Sequence, residues 1–434
     1  MSHVGLVAVG VIRAAGTAAT LARHVAPAAA RRRDARGPAL AVGLRKAFGE
    51  LGPTYVKLGQ LVASSPGLFP DVFAEEFRSL LDEVPPISGR DVAGVIAEEL
   101  GGHPDDRFET FDWTPLASAS IAQVHAATLP GGDDVVVKVQ RPGIRRQIDA
   151  DLRILRVLAR VVERLSSTGR MANPIAVVED FAITIREELS FVVEARSMER
   201  FADVIGRSPA NKGVRVPTVR WPYTTPRVLT MERIHGYKVD DLAQLGETGW
   251  DLAGALKRGV RAWMEAALDH GFFHGDVHAG NLMLDLDGNT VFLDFGIMGR
   301  LDDKTRNIIR VGLPALLVER DFKAVATAIY EMGAVLKPAD LEQSSADIAE
   351  IVGPILDKPL SEISYGAVLV DIVRIGTRYE VRLPRELVLV AKQLLYFERY
   401  AKLMAPDWSI LDDPDLIGFL FEGVMTEKEN QFEQ

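Results

Sequence analysis

Apolar positions recur at helical spacing across residues 38 to 100, and the pattern breaks at Gly52-Pro53, Ser65-Pro66-Gly67 and Pro85-Pro86. This texture predicts two or three helices joined by tight breaks. One of them carries the stretch YVKLGQLVASSPGLFP, residues 55 to 70, in which helical spacing turns Val56, Leu61 and Val62 toward a core and Lys57 and Gln60 toward water. From Phe108 to Gln140 the pattern changes to IAQVHAATL, the turn PGGDD and VVVKVQ, which predicts a β-hairpin closed at Gly131-Gly132. Helical spacing returns over 145–168 and 174–205. RVLTMERI at 227–234 predicts a second short β segment ending at Gly236, followed by helix to about residue 270. In GFFHGDVHAGNLMLDLDGNTVFLDFG two short strands, LML and TVFLD, flank an Asp287-Gly288-Asn289 turn, and beyond about residue 303 the spacing is helical.

The N-terminal thirty residues are apolar and Ala-rich, but Arg13, Arg23 and His24 interrupt them before Arg31-Arg32-Arg33. A signal peptide carries its charge ahead of the apolar run, and a spanning helix needs about twenty cleaner residues. The pattern predicts an amphipathic helix lying on a membrane or on the protein's own surface, with a packed or mobile terminal helix as the alternative. Of 434 residues, 50 are Lys or Arg and 60 Asp or Glu, giving a net charge of −10, which implies no general polyanion-binding surface and no nucleic-acid partner. The absence of cysteine excludes disulfides, thiolate nucleophiles and cysteine-ligated metals, and suits a reducing, cytoplasmic setting.

The chemistry is concentrated downstream. Four residues separate Asp276 from Asn281, and Asp294-Phe295-Gly296 follows across a hairpin. Kinases use this order, H-R-D-x-x-x-x-N and then D-F-G, to place a base and two metal ligands around a triphosphate. Magnesium takes hard oxygen donors, which suits Asn281 and Asp294, and Asp276 can orient or deprotonate a hydroxyl. Lys138, within the strand VVVKVQ, stands where a lysine holds the α- and β-phosphates; the bland alternative is an exposed strand lysine. Such a lysine needs a carboxylate, and REELSFVVEA offers Glu187, Glu188 and Glu194. His270, His274 and His278, spaced four apart, suggest a rival zinc face, but Gly271 and Gly275 argue against a helix there, and His274 is better read as a loop support.

The set KLGQ (57–60), LASASIAQVH (116–125), VVVKVQRPG (135–143), EELSFVVEA (187–195), HGDVHAGN (274–281) and LDFG (293–296) resembles the UbiB family of atypical protein-kinase-like proteins over most of residues 40 to 300. The resemblance implies an α+β, bilobal protein-kinase-like fold with a β-rich N-lobe, a helical C-lobe and an N-terminal helical extension covering the nucleotide cleft. Its expected divisions are an N-terminal helix or arm over 1–37, the K-x-G-Q extension over 38–105, the N-lobe with inserted helices over 106–235 and the C-lobe over 236–434. It implies ATP or ADP as ligand with magnesium or manganese, and work linked to prenyl-lipid (quinone) metabolism at the inner face of a membrane, with prenyl lipid or a membrane surface as partner. It makes Lys138 the phosphate lysine, Glu194 its partner, Asp276 the catalytic-loop aspartate, and Asn281 and Asp294 the metal ligands. The alanine-rich loop Ala117-Ser118-Ala119-Ser120 stands where kinases carry glycines, and Met231 and Glu232 are expected as further nucleotide contacts. Lys57, Gln60 and Glu188 are expected to form a regulatory lid over the pocket a peptide substrate would take. Glu188 and Glu194 lie about 240° apart on a continuous helix, which would direct one to Lys57 and the other to Lys138.

The chain departs from the family pattern at Ser190, where E-x-D has an aspartate, and at Ala279, where proline is usual. Gly275 replaces the arginine of H-R-D, no A-P-E follows Asp294, and the C-terminal third carries no motif to match. It ends in EGVMTEKENQFEQ, without the membrane helices of many members. These features favour an atypical kinase or ATPase; a nucleotide-gated pseudokinase is the first alternative and a protein kinase the second.

Overall fold

The computed structural model describes residues 3–29, 31, 33–63, 71–77, 79–80, 85–165, 174–315, 319–331, 341–355, 385–408, 413, 416 and 418–419. The chain divides into two compact units, Met1–Ala195 with Val219–Arg233, and Arg196–Thr218 with Ile234–Gln434.

The first unit opens with four helices, α1 (His3–Ala29), α2 (Arg33–Leu51), α3 (Pro53–Ala63) and α4 (Asp71–Phe77). Gly52, at a φ of 93°, makes the turn into α3, and Phe48 of α2 packs its ring at a tilt against Tyr55 and Phe77, centroids 5.6 and 5.2 Å away. The helix α1 lies on the protein itself. Its Arg13 reaches Asp151 through Nε at 2.7 Å and Nη2 at 3.0 Å. Thr54 Oγ1, in the first turn of α3, donates to the same carboxylate at 2.7 Å. Asp151 is fully buried, and a buried carboxylate survives only when charge and hydrogen bonds compensate it, so it ties α1 and α3 to the helix that carries it. The break expected at Ser65-Pro66-Gly67 lies outside the described residues.

After α5 (Gly89–Leu100), capped by Ser88 and Gly101, and the short α6 (Pro104–Arg107), the chain forms a sheet. Its strands are β1 (Thr110–Phe111), β2 (Ala117–Ser118), β3 (Ala122–Thr128), β4 (Asp134–Gln140) and β6 (Val228–Glu232), in the order β1-β3-β4-β6 with β2 also on β3. The expected hairpin is β3–β4, turning through Gly131 and Gly132, both at positive φ. Alternation along β4 sends Val135, Val137 and Val139 into a core shared with Val92, Val95 and Ile96 of α5, and turns Lys138 to the opposite face. The inserted helices are α7 (Ile144–Leu165), which carries Asp151, α8 (Pro174–Glu188) and α9 (Phe191–Gly206). The expected continuous helix over 174–205 is therefore broken at Leu189–Ser190.

The second unit contains a sheet ordered β5 (Val214–Arg215), β10 (Thr290–Phe292), β9 (Leu282–Asp285) and β7 (Gly236–Lys238), and a pair formed by β8 (Phe272–His274) and β11 (Met298–Arg300). Around these lie α10 (Leu242–Glu247), α11 (Leu252–Leu268), α12 (Asp303–Pro314), α13 (Phe322–Glu331), α14 (Leu341–Val352) and α15 (Arg385–Met404). Buried Trp263 of α11 packs edge-on against Phe273 of β8 and Phe397 of α15, and its Nε1 donates to His274 O at 2.8 Å. No helix among the described residues is long and apolar enough to cross a membrane.

Candidate active site

In the first unit the strand β4 organises its surroundings through alternate side chains. Lys138 Nζ lies 2.8 and 3.1 Å from the two carboxylate oxygens of Glu194, one turn into α9, and 5.3 Å from the centroid of the Phe191 ring. Both partners are buried, so the pair is charge-assisted and strongly directional. Two residues on, Gln140 Nε2 donates to Leu189 O at 3.0 Å, pinning the break between α8 and α9 to the strand that bears the lysine. Arg141 then donates to Ala119 O, Ser118 Oγ and Pro85 O at 2.9, 2.9 and 3.0 Å, holding the alanine-rich loop and the segment before α5.

The loop residues Ala117 and Ser118 form β2, paired with Val124 and Gln123. Ser120 is fully buried and its Oγ has no hydrogen-bond partner among the described residues. Burial keeps this hydroxyl from solvent, and the Ser118 hydroxyl is held by Arg141. Met231 and Glu232 end β6, where Met231 pairs with Val136 and Glu232 with Val135. The neighbouring Gln123 and His125 form a relay: Ile87 N–H donates to Gln123 Oε1, Gln123 Nε2 to His125 Nε2 and His125 Nδ1 to Asp112 O, at 2.8, 2.9 and 2.8 Å. One donor and one acceptor on the ring make His125 neutral, and burial holds its pKa below the usual histidine range despite the Asp112 carbonyl.

Lys57 of α3 does not face water. Its Nζ lies 2.7 Å from Glu188 Oε1 at the end of α8, with both side chains largely buried. Leu61, expected in the core, is only partly buried, and the buried face comprises Thr54, Tyr55, Val56, Leu58, Gly59 and Val62. Glu188 and Glu194 do address different lysines, but the helical-wheel account of that separation fails, because they sit on two helices. Ser190 stands at the junction, and its carbonyl accepts from Val193 and Glu194 N–H at 2.9 and 3.2 Å, the role of an N-terminal cap residue.

In the second unit, the loop between β8 and β9 places Asp276, Asn281 and, across the β9–β10 hairpin, Asp294. His274 is fully buried at its centre. Its Nε2 donates to the carbonyls of Leu293 and Asp294 at 2.9 and 2.8 Å, and its Nδ1 accepts Asp276 N–H at 3.1 Å. This pattern requires the neutral ring; burial lowers its pKa against the opposing pull of Asp276. With both nitrogens committed to the backbone, His274 cannot ligate zinc, and no cluster of three or more His, Asp or Glu able to hold a metal occurs among the described residues. Asp294 adopts a φ of 52°, a conformation costly to a residue with a Cβ and concentrated at functional sites, and its Oδ1 accepts from Gly296 N–H at 3.2 Å. Asn281 Nδ2 donates to Asp276 O at 2.9 Å, which turns its oxygen into the atom with which it can ligate. One carboxylate and one amide oxygen, completed by phosphate and water, fit magnesium, which keeps few protein ligands.

Helix α15 clamps this loop, a contribution that sequence reasoning missed. Gln393, fully buried, accepts Val277 N–H at 2.8 Å and donates to Gly275 O at 2.7 Å. Tyr400 O–H donates to Val277 O at 2.9 Å, and Lys392 Nζ meets Asp276 Oδ1 at 2.9 Å. A Cβ on Gly275 would stand 2.7 Å from Leu389 Cδ2 and 3.1 Å from Ile297 O. An arginine in the H-R-D position would therefore have to displace Leu389 and crowd Ile297 where α15 packs. Asp276 is held below the usual carboxylate range: burial pushes it up, but Lys392 and His278 outweigh that.

The model of the ABC1 atypical kinase-like domain matches residues 79–329. The chain belongs to the UbiB family of atypical kinase-like proteins. A second family model, the UbiB helical domain, matches residues 348–409, correcting the expectation that the C-terminal third carries nothing to match. An uncharacterized protein of Mycobacterium tuberculosis, Rv0647c, is 47% identical over 88% of this chain and 78% of its own length. The probable protein kinase UbiB of Azotobacter vinelandii is 36% identical over 85% of this chain and 68% of its own. A solved structure of Rv3197 with erythromycin, from Mycobacterium tuberculosis, shares the fold with a TM-score of 0.54 and 24% identity, over 83% of this chain and 94% of that one. This UbiB-family chain thus has the kinase-like α+β fold. Lys138 and Glu194 meet in its first unit, Lys57 and Glu188 likewise, while Asp276, Asn281 and Asp294 gather in its second. The missed signal for α15 was the pair Lys392-Gln393, polar neighbours inside the apolar run VLVAKQLLYF.

Proposed function

We propose that this UbiB-family chain is an atypical kinase or ATPase that binds ATP or ADP with magnesium and serves prenyl-lipid or other lipid-linked metabolism. Lys138 would serve the phosphates, Asn281 and Asp294 the metal, and Asp276 the acceptor hydroxyl or water. The bound metal would supply Lewis-acid polarisation and charge neutralisation at the phosphates. The observation that carries the reading is the second unit's loop: His274 spends both ring nitrogens fixing the backbone at Asp276 and Asp294, and Asp294 keeps a costly conformation. Packing alone has no need of such an arrangement. The Lys57–Glu188 pair supports the lid and a non-peptide substrate.

The test is magnesium-dependent nucleotide binding and phosphate release, with and without anionic liposomes. Asp294→Asn should abolish binding, and Lys57→Arg should change nucleotide affinity or turnover without unfolding the chain. Turnover stimulated by liposomes would support the lipid assignment, while binding unaffected by Asp294→Asn would refute the metal role. One observation favours a second reading, a nucleotide-gated module without transfer: Ser190 removes the second carboxylate of E-x-D. ATP binding with no phosphate release in any lipid would select it.

A further inference from the structure

Helix α15 brings a cation to the catalytic loop from more than a hundred residues away. Lys392 Nζ lies 2.9 Å from Asp276 Oδ1, and His278 Nε2 lies 3.7 Å from Oδ2, so each carboxylate oxygen faces its own nitrogen. The lysine is not a loose surface side chain. It is 22% exposed, its Nζ stands 5.8 Å from the Tyr396 ring one turn on, and its neighbour Gln393 is locked to Gly275 and Val277 on either side of Asp276. Leu389, one turn earlier on the same face, fills the space that Gly275 leaves. The clamp therefore fixes the loop backbone through Gln393 and Tyr400, and the Asp276 carboxylate through Lys392.

We propose that Lys392 is a positioning residue for Asp276, fixing its carboxylate rotamer and balancing its charge where anionic phosphoryl oxygens must approach. The proposal rests on the reading of Asp276 as the catalytic-loop aspartate. It assigns the C-terminal helical domain a direct part in the reaction. A lysine with only a packing role would leave the carboxylate able to act without it. A carboxylate that loses this partner rotates among its rotamers and meets incoming phosphate unscreened.

The experiment uses the full chain with magnesium and ATP, following ATP binding by calorimetry and phosphate release at steady state. Lys392→Met should lower kcat roughly 10- to 100-fold while the KM for ATP stays within about twofold, and Lys392→Arg should restore at least about a third of kcat. Asp276→Asn combined with Lys392→Met should be no slower than Asp276→Asn alone, because residues acting as one unit are not additive. Should Lys392→Met fail to fold, Lys392→Gln takes its place. Unchanged kcat in Lys392→Met alongside a strongly slowed Asp276→Asn would overturn the proposal and leave the reading of Asp276 standing. So would a double variant slowed by the product of the two single effects. A wild type that neither binds nor turns over magnesium and ATP would overturn the reading itself, and the proposal with it.

Discussion

Two largely buried lysine–glutamate pairs differ in what the loss of the carboxylate should cost. Glu194 is nearly inaccessible and gives both its oxygens to Lys138, so Glu194→Gln breaks a buried two-oxygen ion pair and should destabilise the first unit by about 3–5 kcal/mol. Glu188 meets Lys57 through one oxygen in a slightly more open position, and Glu188→Gln should cost only about 1.5–3 kcal/mol. Urea unfolding of the two variants checks the ranking, and equal losses would contradict it. In nucleotide assays the order of interest reverses: if Glu188→Gln leaves affinity and turnover unchanged, the lid is wrong, whatever its effect on stability. Lys138 was legible because it stands inside an apolar strand run, but the choice of Glu194 over Glu187 and Glu188 as its partner came from resemblance. The contact of Lys57 with Glu188 came from resemblance alone, since nothing local distinguishes a buried lysine on an amphipathic helix from an exposed one. Asp151 was not legible either, because its partners Arg13 and Thr54 are distant in sequence.

At the scale of elements, hydrophobic period found the β3–β4 hairpin, the β9–β10 hairpin and most helices, but missed most of the other strands of two or three residues. Such strands hold too few positions to display alternation, and β5, β7 and β11 exist because a neighbour pairs with them. The break at Leu189–Ser190 was missed for a related reason: no Gly or Pro marks it, and it is fixed by Gln140 from another element. The clamp by α15 is tertiary in origin as well. It yields a prediction against analogy: Gly275→Arg, which restores the kinase residue, should disrupt the loop rather than improve it, since even a Cβ there crowds Leu389 and Ile297. Gln393→Ala strips partners from Val277 N–H and Gly275 O together and should cost roughly 2–5 kcal/mol, two buried backbone groups being left unpaired. Denaturant midpoints and loop protection in hydrogen exchange measure both effects, and a Gly275→Arg variant as stable and protected as wild type would show that α15 yields.

Across the whole molecule, each compact unit encloses one neutral histidine whose ring serves as a backbone fastener, His125 in the first and His274 in the second. Burial lowers both pKa values below the ordinary histidine value of about 6.5, so the unfolded chain binds protons that the folded chain refuses. Stability from these rings is fully present above about pH 6.5 and falls as pH drops toward the lowered folded values, by up to about 1.4 kcal/mol per pH unit for each ring. The carboxylates held below their usual range, Asp276 and Asp413 among them, act in the same direction but in a lower window, as pH falls through and below the ordinary carboxylate range. Acid sensitivity should therefore begin near pH 6.5, above the window in which Asp276 and Asp413 contribute. Urea unfolding between pH 7.5 and 5.5 should show the loss, and His125→Gln should flatten the part belonging to the first unit while leaving that of the second. Stability independent of pH across that interval would mean that the folded protein accommodates protonated rings, and the acceptor roles assigned to His125 Nε2 toward Gln123 and to His274 Nδ1 toward Asp276 N–H would then have to be given up.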